Sequence, residues 1–524
     1  MTQDNDKCPM LLINPPVVRP CEAPAGIARL LGTLKSHGVS CRVLDANLEG
    51  LLHLLDHPGE PKGTWSKRAV RNRAYNLSAL RGINLYQGKD RYSRSVREIN
   101  RVLDEAGRSR GARIGLANYE DPSRSPLRSA DLIEAAEQPE TNPFYPYFME
   151  RLTALFEDGE PSLVGISLNY LSQALPAFSL IGLARKLCPK ARYVLGGGLV
   201  TSWLSNPEWA NPFDGLVDDM VAGPGEGPLL AMTGMTPPDS HAAPDYTPFR
   251  TLPYLSPGLV LPYSASKGCW WGRCTFCPEK AEGNAYSALA APMILSEIDR
   301  LVLSENPRLI HFLDNAMSPA LLAALANHSS GIPWYGFARI TRHLTDLSFC
   351  RELKRSGCVM LKIGLESGDQ GVLDSLDKGI DLGEASSALK TLKEAGIGTY
   401  VYLLFGTPAE REREAKRTLE YVIQNHEHID YMNIALFNMP AYGPDAAGLD
   451  TQEFYHGDLT LYRQFRHPGG WDRGRVRRFL DGEFRKNPAV REIILRDPPV
   501  FTSNHAPFFL MADRGGTGME RKSW

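Results

Sequence analysis

The stretch Ser266-Lys-Gly-Cys269-Trp-Trp-Gly-Arg-Cys274-Thr-Phe-Cys277-Pro278 decides how the chain is read. Three cysteines stand within nine residues, spaced Cys-x4-Cys-x2-Cys. Thiolates are soft ligands that select zinc, copper(I) or iron–sulfur clusters. A structural zinc site asks for a fourth Cys or His at similar range. Here the nearest, His311, His328, Cys350 and Cys358, lie far along the chain. Three thiolates on a four-iron cluster leave one iron open to a substrate. The odd count and the tight loop speak against a disulfide. A cysteine-bearing core segment is the plain alternative. Gly268 and Gly272 permit the unusual backbone angles of a loop that wraps a cluster, and Pro278 closes it. The apolar run 258–263 before the loop reads as a strand, and 292–303 after it as a helix.

This segment resembles the cluster-binding loop of the radical S-adenosylmethionine (SAM) enzymes. That family usually shows Cys-x3-Cys-x2-Cys, with an aromatic just before the third cysteine. Phe276 stands where that aromatic packs near the adenine of SAM; the first spacing here is one residue longer. The resemblance implies a [4Fe–4S] cluster on Cys269, Cys274 and Cys277, SAM as co-substrate, and an electron donor such as a flavodoxin or ferredoxin.

With 524 residues, 43% of them hydrophobic, the chain has room for two or three packed domains. A net charge of −2 and a pI near 6.7 argue against a general binder of nucleic acid or anionic membranes. No apolar run approaches the ~20 residues of a membrane helix. Residues 1–7 are polar and acidic, unlike a signal peptide. Nine cysteines without an export signal point to reduced thiols in a cytoplasm.

The first half shows a strand at 10–14, a helix at 26–37 with Ile27, Leu30, Leu31 and Leu34 at helical spacing, and a strand at 40–44. This βαβ unit predicts a parallel, Rossmann-like sheet. Ligands of such sheets bind beyond the carboxyl ends of the strands, so Asp45-Ala-Asn47-Leu-Glu-Gly50 reads as a ligand-facing loop. Its alternative is a βα turn with a capping Asp. The sheet pattern resumes with a strand at 163–168, a helix at 175–187, and a strand at 192–195 that runs into Gly196-Gly197-Gly198; 214–221 supplies a further strand. Asp45-x-Asn47-x-x-Gly50, Ser167 and Gly196-Gly197 resemble, in order, the elements of cobalamin-binding domains. Asn47 stands where that family's cobalt-ligating histidine would be, so the resemblance implies a cobalamin without a protein imidazole ligand. Between these runs, about 61–142, the chain is rich in arginine: Arg68, Arg71, Arg73, Arg81, Arg91, Arg94, Arg97 and Arg101. The last three fall at helical spacing and form one basic face, either solvated or part of a cap that contacts an acidic substrate, a peptide or a partner. Residues 231–257, rich in Pro, Thr, Ser and Asp, read as a linker.

In the second half strands at 259–263, 309–313, 334–338, 359–365, 399–405 and 431–437 alternate with helices. Six such units match the partial (β/α)6 TIM-type barrel that the resemblance implies, with functional groups at the carboxyl ends of the strands. Those ends carry Asp314-Asn315, Arg339, Glu366-Ser367-Gly368 and Gly406-Thr407-Pro408. The resemblance assigns Phe276, Asp314, Asn315, Arg339, Glu366, Ser367, Gly406 and Pro408 to SAM; Asp314 has a helix cap as its plain alternative. Cys350 and Cys358 read as core thiols. The expected organisation is an α/β chain: a cobalamin-type Rossmann domain over 1–230 with its Arg-rich insertion, the linker, a barrel over 258–442, and a C-terminal accessory region over 443–524. That last region, with Trp471, Phe501, Phe508 and Phe509, is expected over the barrel mouth.

The resemblance implies an enzyme that cleaves SAM reductively to act on an unactivated carbon. With cobalamin it is a methyltransferase; without that role it catalyses a rearrangement or cyclisation. An iron–sulfur electron carrier is the alternative of another class, but a carrier needs no SAM pocket. The substrate, small molecule or peptide, is not legible. Anaerobically reconstituted protein is expected to bind about four irons per chain. Replacing Cys269, Cys274 and Cys277 by Ala together removes the iron and the brown absorbance; iron retained in that triple variant rules the loop out as the ligand set.

Overall fold

The computed structural model of the protein describes residues 10–236, 241–442, 448–499 and 505–510. The polar start at 1–7, Phe501, and parts of the expected linker and C-terminal region lie outside the described residues.

In the first half β1 (Met10–Ile13), α1 (Ala25–Ser36) and β2 (Cys41–Leu44) make a βαβ unit. Helix α1 buries Ile27, Ala28, Leu31 and Leu34, which three- and four-residue spacing puts on one face. β1 is buried at every position because strands flank it on both sides. It pairs in parallel with β2, Met10 opposite Cys41, and with β3 (Leu163–Ser167), Leu12 opposite Gly165. β4 (Arg192–Gly196) and β5 (Asp219–Val221) complete a five-stranded parallel sheet in the order β2-β1-β3-β4-β5. The order reverses between β1 and β3, so the crevice outside their carboxyl ends is where an open α/β sheet binds ligands.

The stretch 45–50 is not a loop. It is the start of α2 (Ala46–Asp56), and Asp45 is its N-cap. The Asp45 carboxylate is buried and accepts from Leu48 N at 3.2 Å, Asn14 Nδ2 at 2.9 Å and Tyr254 Oη at 2.6 Å. Asn47 is buried too, its Oδ1 accepting from Val18 N at 2.8 Å. A Cβ on Gly50 would stand 3.0 Å from the ring of Phe144. Polar residues at a strand end thus serve a helix cap and the packing of neighbouring segments.

The Arg-rich insertion is a hairpin of α3 (Gly63–Leu80) and α4 (Lys89–Arg108). Arg94 and Arg97 are exposed, as expected of a basic face. Arg101 turns back between the helices, donating to Ser66 Oγ at 2.8 Å and pairing with Glu105 at 2.6 Å. Buried Glu98 accepts from Asn76 at 2.7 Å and Asn72 at 3.1 Å.

The expected linker is a packed strap rather than a loose tether. Tyr246, Phe249, Tyr254 and Leu255 are buried in it. Tyr246 Oη donates to the carbonyl of Pro262, and Asp245 N to Ala28 O at 2.8 Å. The aromatic rings join the α1 side of the first sheet to the barrel in one continuous hydrophobic core.

The barrel strands are β6 (Val260–Tyr263), β7 (Leu309–Met317), β8 (Trp334–Ala338), β9 (Cys358–Glu366), β10 (Gly398–Phe405) and β11 (Tyr431–Leu436). They pair in sequence order and all in parallel. Helical crossovers between them bury Ile298 and Leu301, Leu353, Leu389 and Leu392, and Val422. β7 runs on to Met317, so Asp314 lies inside the strand, and Ser318 is the cap of the next helix, accepting from Leu321 N at 3.1 Å. Cys350 and Cys358 are buried core thiols.

The C-terminal region reaches both ends of the barrel. Trp471 and His467 meet the turn after β10 at the mouth. His505 packs on Tyr400 and Tyr431 at the opposite end, with ring centroids 4.4 and 4.7 Å away. Phe509 lies against Gly398, where a Cβ would come within 2.4 Å of its ring, and Phe508 meets Tyr86 and Tyr92 of the insertion. Trp471 thus lies at the mouth as expected, while Phe508 and Phe509 lie at the other end.

Asp45→Ala removes the cap and leaves the Tyr254 hydroxyl and the Asn14 amide without their buried acceptor. The expected loss is about 2 kcal/mol or more, read as a lower urea midpoint at unchanged slope. An unchanged midpoint would mean that Asp45 holds nothing together.

Candidate functional site

The three cysteines sit between β6 and β7 on the loop that follows the short strand Ser266–Lys267. Cys274 is buried, Cys269 and Cys277 half-buried. Burial pushes the Cys277 thiol up to about 11 and raises that of Cys274, against which Lys378 and Arg339 act. Gly268 and Gly272 have φ of +67° and +60°, conformations that glycine takes at little cost. The loop is fastened to residues 376–379. Thr275 N donates to Leu376 O at 3.1 Å and Trp271 Nε1 to Asp377 O at 2.8 Å; Arg273 pairs with Asp377 at 3.0 Å. A Cβ on Gly379 would lie 2.3 Å from the Trp271 ring.

Four strand ends surround this loop. At the end of β7, Asp314 accepts from Ala265 N at 3.1 Å and from Ser266 Oγ, with burial raising its carboxyl. Exposed Asn315 donates to Gly268 O at 3.4 Å. Arg339, after β8, is buried; its Nη1 donates to Cys274 Sγ at 3.9 Å and its Nη2 to the carbonyl of Lys378. Glu366 closes β9 at φ +68°, beyond a register shift between Gly364 and Glu366. Its Oε1 accepts from Lys378 Nζ at 2.8 Å, and that ammonium stands 5.5 Å from the Phe276 ring centroid. A Cβ on Gly364 would fall 2.6 Å from Glu366 Oε1 and 2.9 Å from Lys378 Nζ, so a side chain here would push on the pair. A bulge and a left-handed residue at a strand end are strain of the kind that collects at functional sites. Ser367 turns inward to Thr418 Oγ1 at 3.2 Å. After β10, Gly406 at φ +81° donates to Glu410 Oε2 at 2.5 Å, and His467 Nε2 donates to Thr407 O at 2.9 Å. Pro408 is half-buried in the same turn.

A cavity of about 640 Å³ separates the carboxyl ends of the first sheet from the cysteine loop. Ser167, Gly196 and Gly197 line it on the sheet side, Lys267, Gly268 and Asn315 on the other. Gly197 has φ +112°, and a Cβ there would come 2.4 Å from Leu168 O, so the close approach of this turn to the end of β3 requires glycine. Asn169 holds this turn, accepting from Gly198 N at 3.0 Å. Asp45, Asn47 and Gly50 do not line the cavity.

Residues 263–422 match the model of the Radical SAM superfamily. The chain carries a radical SAM domain. Such a domain implies a [4Fe–4S] cluster and SAM, and the loop fits the cluster: three thiols on one glycine-bent segment. Two buried donors beside them, Trp270 Nε1 and Arg339 Nε, have no partner among the described residues. No three His, Cys, Asp or Glu side chains among the described residues converge on a single ion. A tetrahedral zinc site would require that, whereas cluster thiolates each hold a separate iron.

The bacteriochlorophyllide d C-12(1)-methyltransferase of Chlorobaculum tepidum is 28% identical over 206 residues, 38% of this chain and 43% of that one. A methyltransferase of Pyrococcus horikoshii described as uncharacterised is 22% identical over 302 residues, 50% of this chain and 64% of that one. The chain thus spans less than two thirds of the curated relatives it matches. Among solved structures, the radical SAM methyltransferase TsrM of Kitasatospora setae, with tryptophan and a SAM analogue bound, aligns at TM-score 0.54 and 15% identity, over 94% of this chain and 89% of that one. The cobalamin-dependent radical enzyme OxsB, with aqua-cobalamin and SAM bound, aligns at TM-score 0.56 and 13% identity, over 91% and 67%. Both share the fold, parallel sheet followed by parallel barrel.

Sequence reasoning passed over Lys378, Trp271 and Glu410. Lys378 is twelve residues past its partner Glu366 and carries no local signal. Glu410 lies just before the helix that starts at Glu412 and carries no signal of its own. It is fully buried beneath the Gly406 turn, accepts from Trp471 Nε1 at 3.0 Å, and burial raises its carboxyl to about 7. Between pH 4.5 and 7 the folded chain therefore holds a proton here that the unfolded chain has lost. Stability from this site is complete below about pH 4.5 and falls as pH rises through 7, by on the order of 3 kcal/mol. In Glu410→Gln this component of the stability–pH curve is flat; a variant with the wild-type curve would remove Glu410 as its source.

Proposed function

We propose that the protein is a cobalamin-dependent radical SAM methyltransferase that acts on an unactivated carbon. The observation that carries this reading is the cavity between the glycine edge at 196–198 and the cysteine loop: the carboxyl ends of two parallel sheets face one space. When bound, the cluster and SAM supply one-electron cleavage chemistry, and cobalamin supplies a methyl carrier.

The residues of this chain divide the work. Cys269, Cys274 and Cys277 would hold the cluster, leaving a position for SAM. Glu366, held by Lys378, would face the ribose and amino-acid end of SAM, with Ser367 fixing the turn behind it through Thr418 and Asp369 N; Phe276 and the Gly406–Pro408 turn would bound its adenine. Asp314 shapes the entry through Ser266, and Asn315 stands at the rim common to SAM and the cavity. Ser167, Gly196 and Gly197 receive the corrin from the sheet side. The cavity lining includes no His, Cys or Met among the described residues, so the protein offers cobalt none of its usual ligands. The electron donor is of the flavodoxin or ferredoxin kind, and the setting is a cytoplasm. No helix among the described residues is long and apolar enough to cross a membrane.

Anaerobic incubation of the reconstituted protein with SAM, a reductant and hydroxocobalamin tests the reading. S-adenosylhomocysteine and methylcobalamin are expected to accumulate together, alongside 5′-deoxyadenosine. 5′-Deoxyadenosine without S-adenosylhomocysteine, or no cobalamin retained after reconstitution, overturns methyl transfer in favour of a rearrangement or cyclisation.

A further inference from the structure

The loop between the first two cysteines is Trp270-Trp271-Gly272-Arg273, one residue longer than the usual three. The added length is used. Trp271 packs closely on Gly379, where a Cβ would come 2.3 Å from the ring, and the Arg339 guanidinium lies over that ring 4.2 Å from its centroid; Trp270 approaches the same guanidinium at 5.6 Å. The indole N–H of Trp271 is tied to Asp377 O, so the shelf cannot swing away without breaking that bond. On this shelf Arg339 is 6% exposed and spends both Nη groups on the loop, one on Cys274 Sγ and one on the carbonyl of Lys378.

We propose that Arg339 sets the reduction potential of the cluster by holding a fixed positive charge and an N–H donor on the sulfur of Cys274, and that it is not a SAM ligand. The inference rests on the cluster assignment of the radical SAM reading. Hydrogen bonds to ligand sulfurs and local charge are the protein's main handles on cluster potential. One electron taken from a low-potential one-electron donor adds negative charge beside the guanidinium, so the arginine favours the reduced form. A low-dielectric, water-poor position strengthens the effect, and the stack on Trp271 keeps the cation in place. Both terminal nitrogens of Arg339 already have partners within the protein, which supports this role over the SAM contact expected from the sequence.

The test is an anaerobic redox titration of the reconstituted protein with dithionite and mediator dyes, read by electron paramagnetic resonance of the reduced cluster. SAM affinity is measured on the same samples. Arg339→Gln is expected to lower the reduced-to-oxidised ratio at fixed potential at least tenfold, a shift of about 59 mV for one electron, with SAM affinity within about twofold of wild type. Arg339→Lys, which keeps charge but not the fork, shifts the midpoint less. Trp271→Leu, which leaves Arg339 in the chain but removes its shelf, shifts it in the same direction and serves if the arginine variants lose the cluster. An unchanged midpoint in cluster-loaded Arg339→Gln overturns the proposal. Lost SAM affinity at an unchanged midpoint returns the arginine to the SAM site. Wild-type protein that takes up no iron overturns the radical SAM reading itself, an outcome that iron analysis separates from the other two.

Discussion

A chain of three charged or polar side chains holds the two halves in register. Glu22, on the segment between β1 and α1, accepts from His311 Nδ1 at 2.9 Å; His311 Nε2 accepts from Lys362 Nζ at 3.1 Å. The partners fix the proton of the imidazole on Nδ1. His311 belongs to β7 and Lys362 to β9, and the His311 ring lies flat on Tyr335 at 4.3 Å. Burial lowers Lys362 to about 8 and lowers His311 as well, while the histidine and its neighbouring cations lower Glu22. Removing one member leaves a buried charge without compensation, which is far costlier than never having buried the set. Because Glu22 comes from the sheet and the other two from the barrel, the carboxyl ends of both are held across one cavity.

Around that constraint the site is built from places where side chains are absent. Gly364 leaves room for Glu366 and Lys378, Gly379 for Trp271, and Gly197 for Leu168 O. Each is a close approach that a Cβ would crowd. The mouth turn at Gly406 is held from below by Glu410 and from the side by His467, so its geometry depends on the C-terminal region as much as on β10.

Most of the architecture was legible because hydrophobic periodicity is local. Strand 334–338 was read to the residue, and the other strands of both sheets to within a few residues at each end, 214–221 excepted, since only Asp219–Val221 pairs. The cysteine loop was legible because its ligands are contiguous. What failed was polar chemistry over distance. Asp45, Asn47 and Gly50 carry the residue types of a ligand loop; the capping alternative for Asp45 was local and legible, but its bond to Tyr254, more than two hundred positions on, was not. The strap at 231–257 has the composition of a linker, yet four buried apolar residues outweigh its many prolines and serines. Arg339 looked like a free strand-end cation because nothing near it in sequence marks the tryptophan beneath.

The placement of β1 has a consequence for synthesis on the ribosome. This strand is central in its sheet, but its second neighbour, β3, begins only at Leu163. At about 5–20 residues per second, one edge of a fully apolar strand waits on the order of ten seconds for its partner. The chain made in that interval includes the Arg-rich hairpin, whose helices bury their own polar contacts through Glu98, Asn76 and Arg101 and keep Arg94 and Arg97 in solvent. A self-contained, strongly charged neighbour beside an open strand edge opposes pairing between nascent chains.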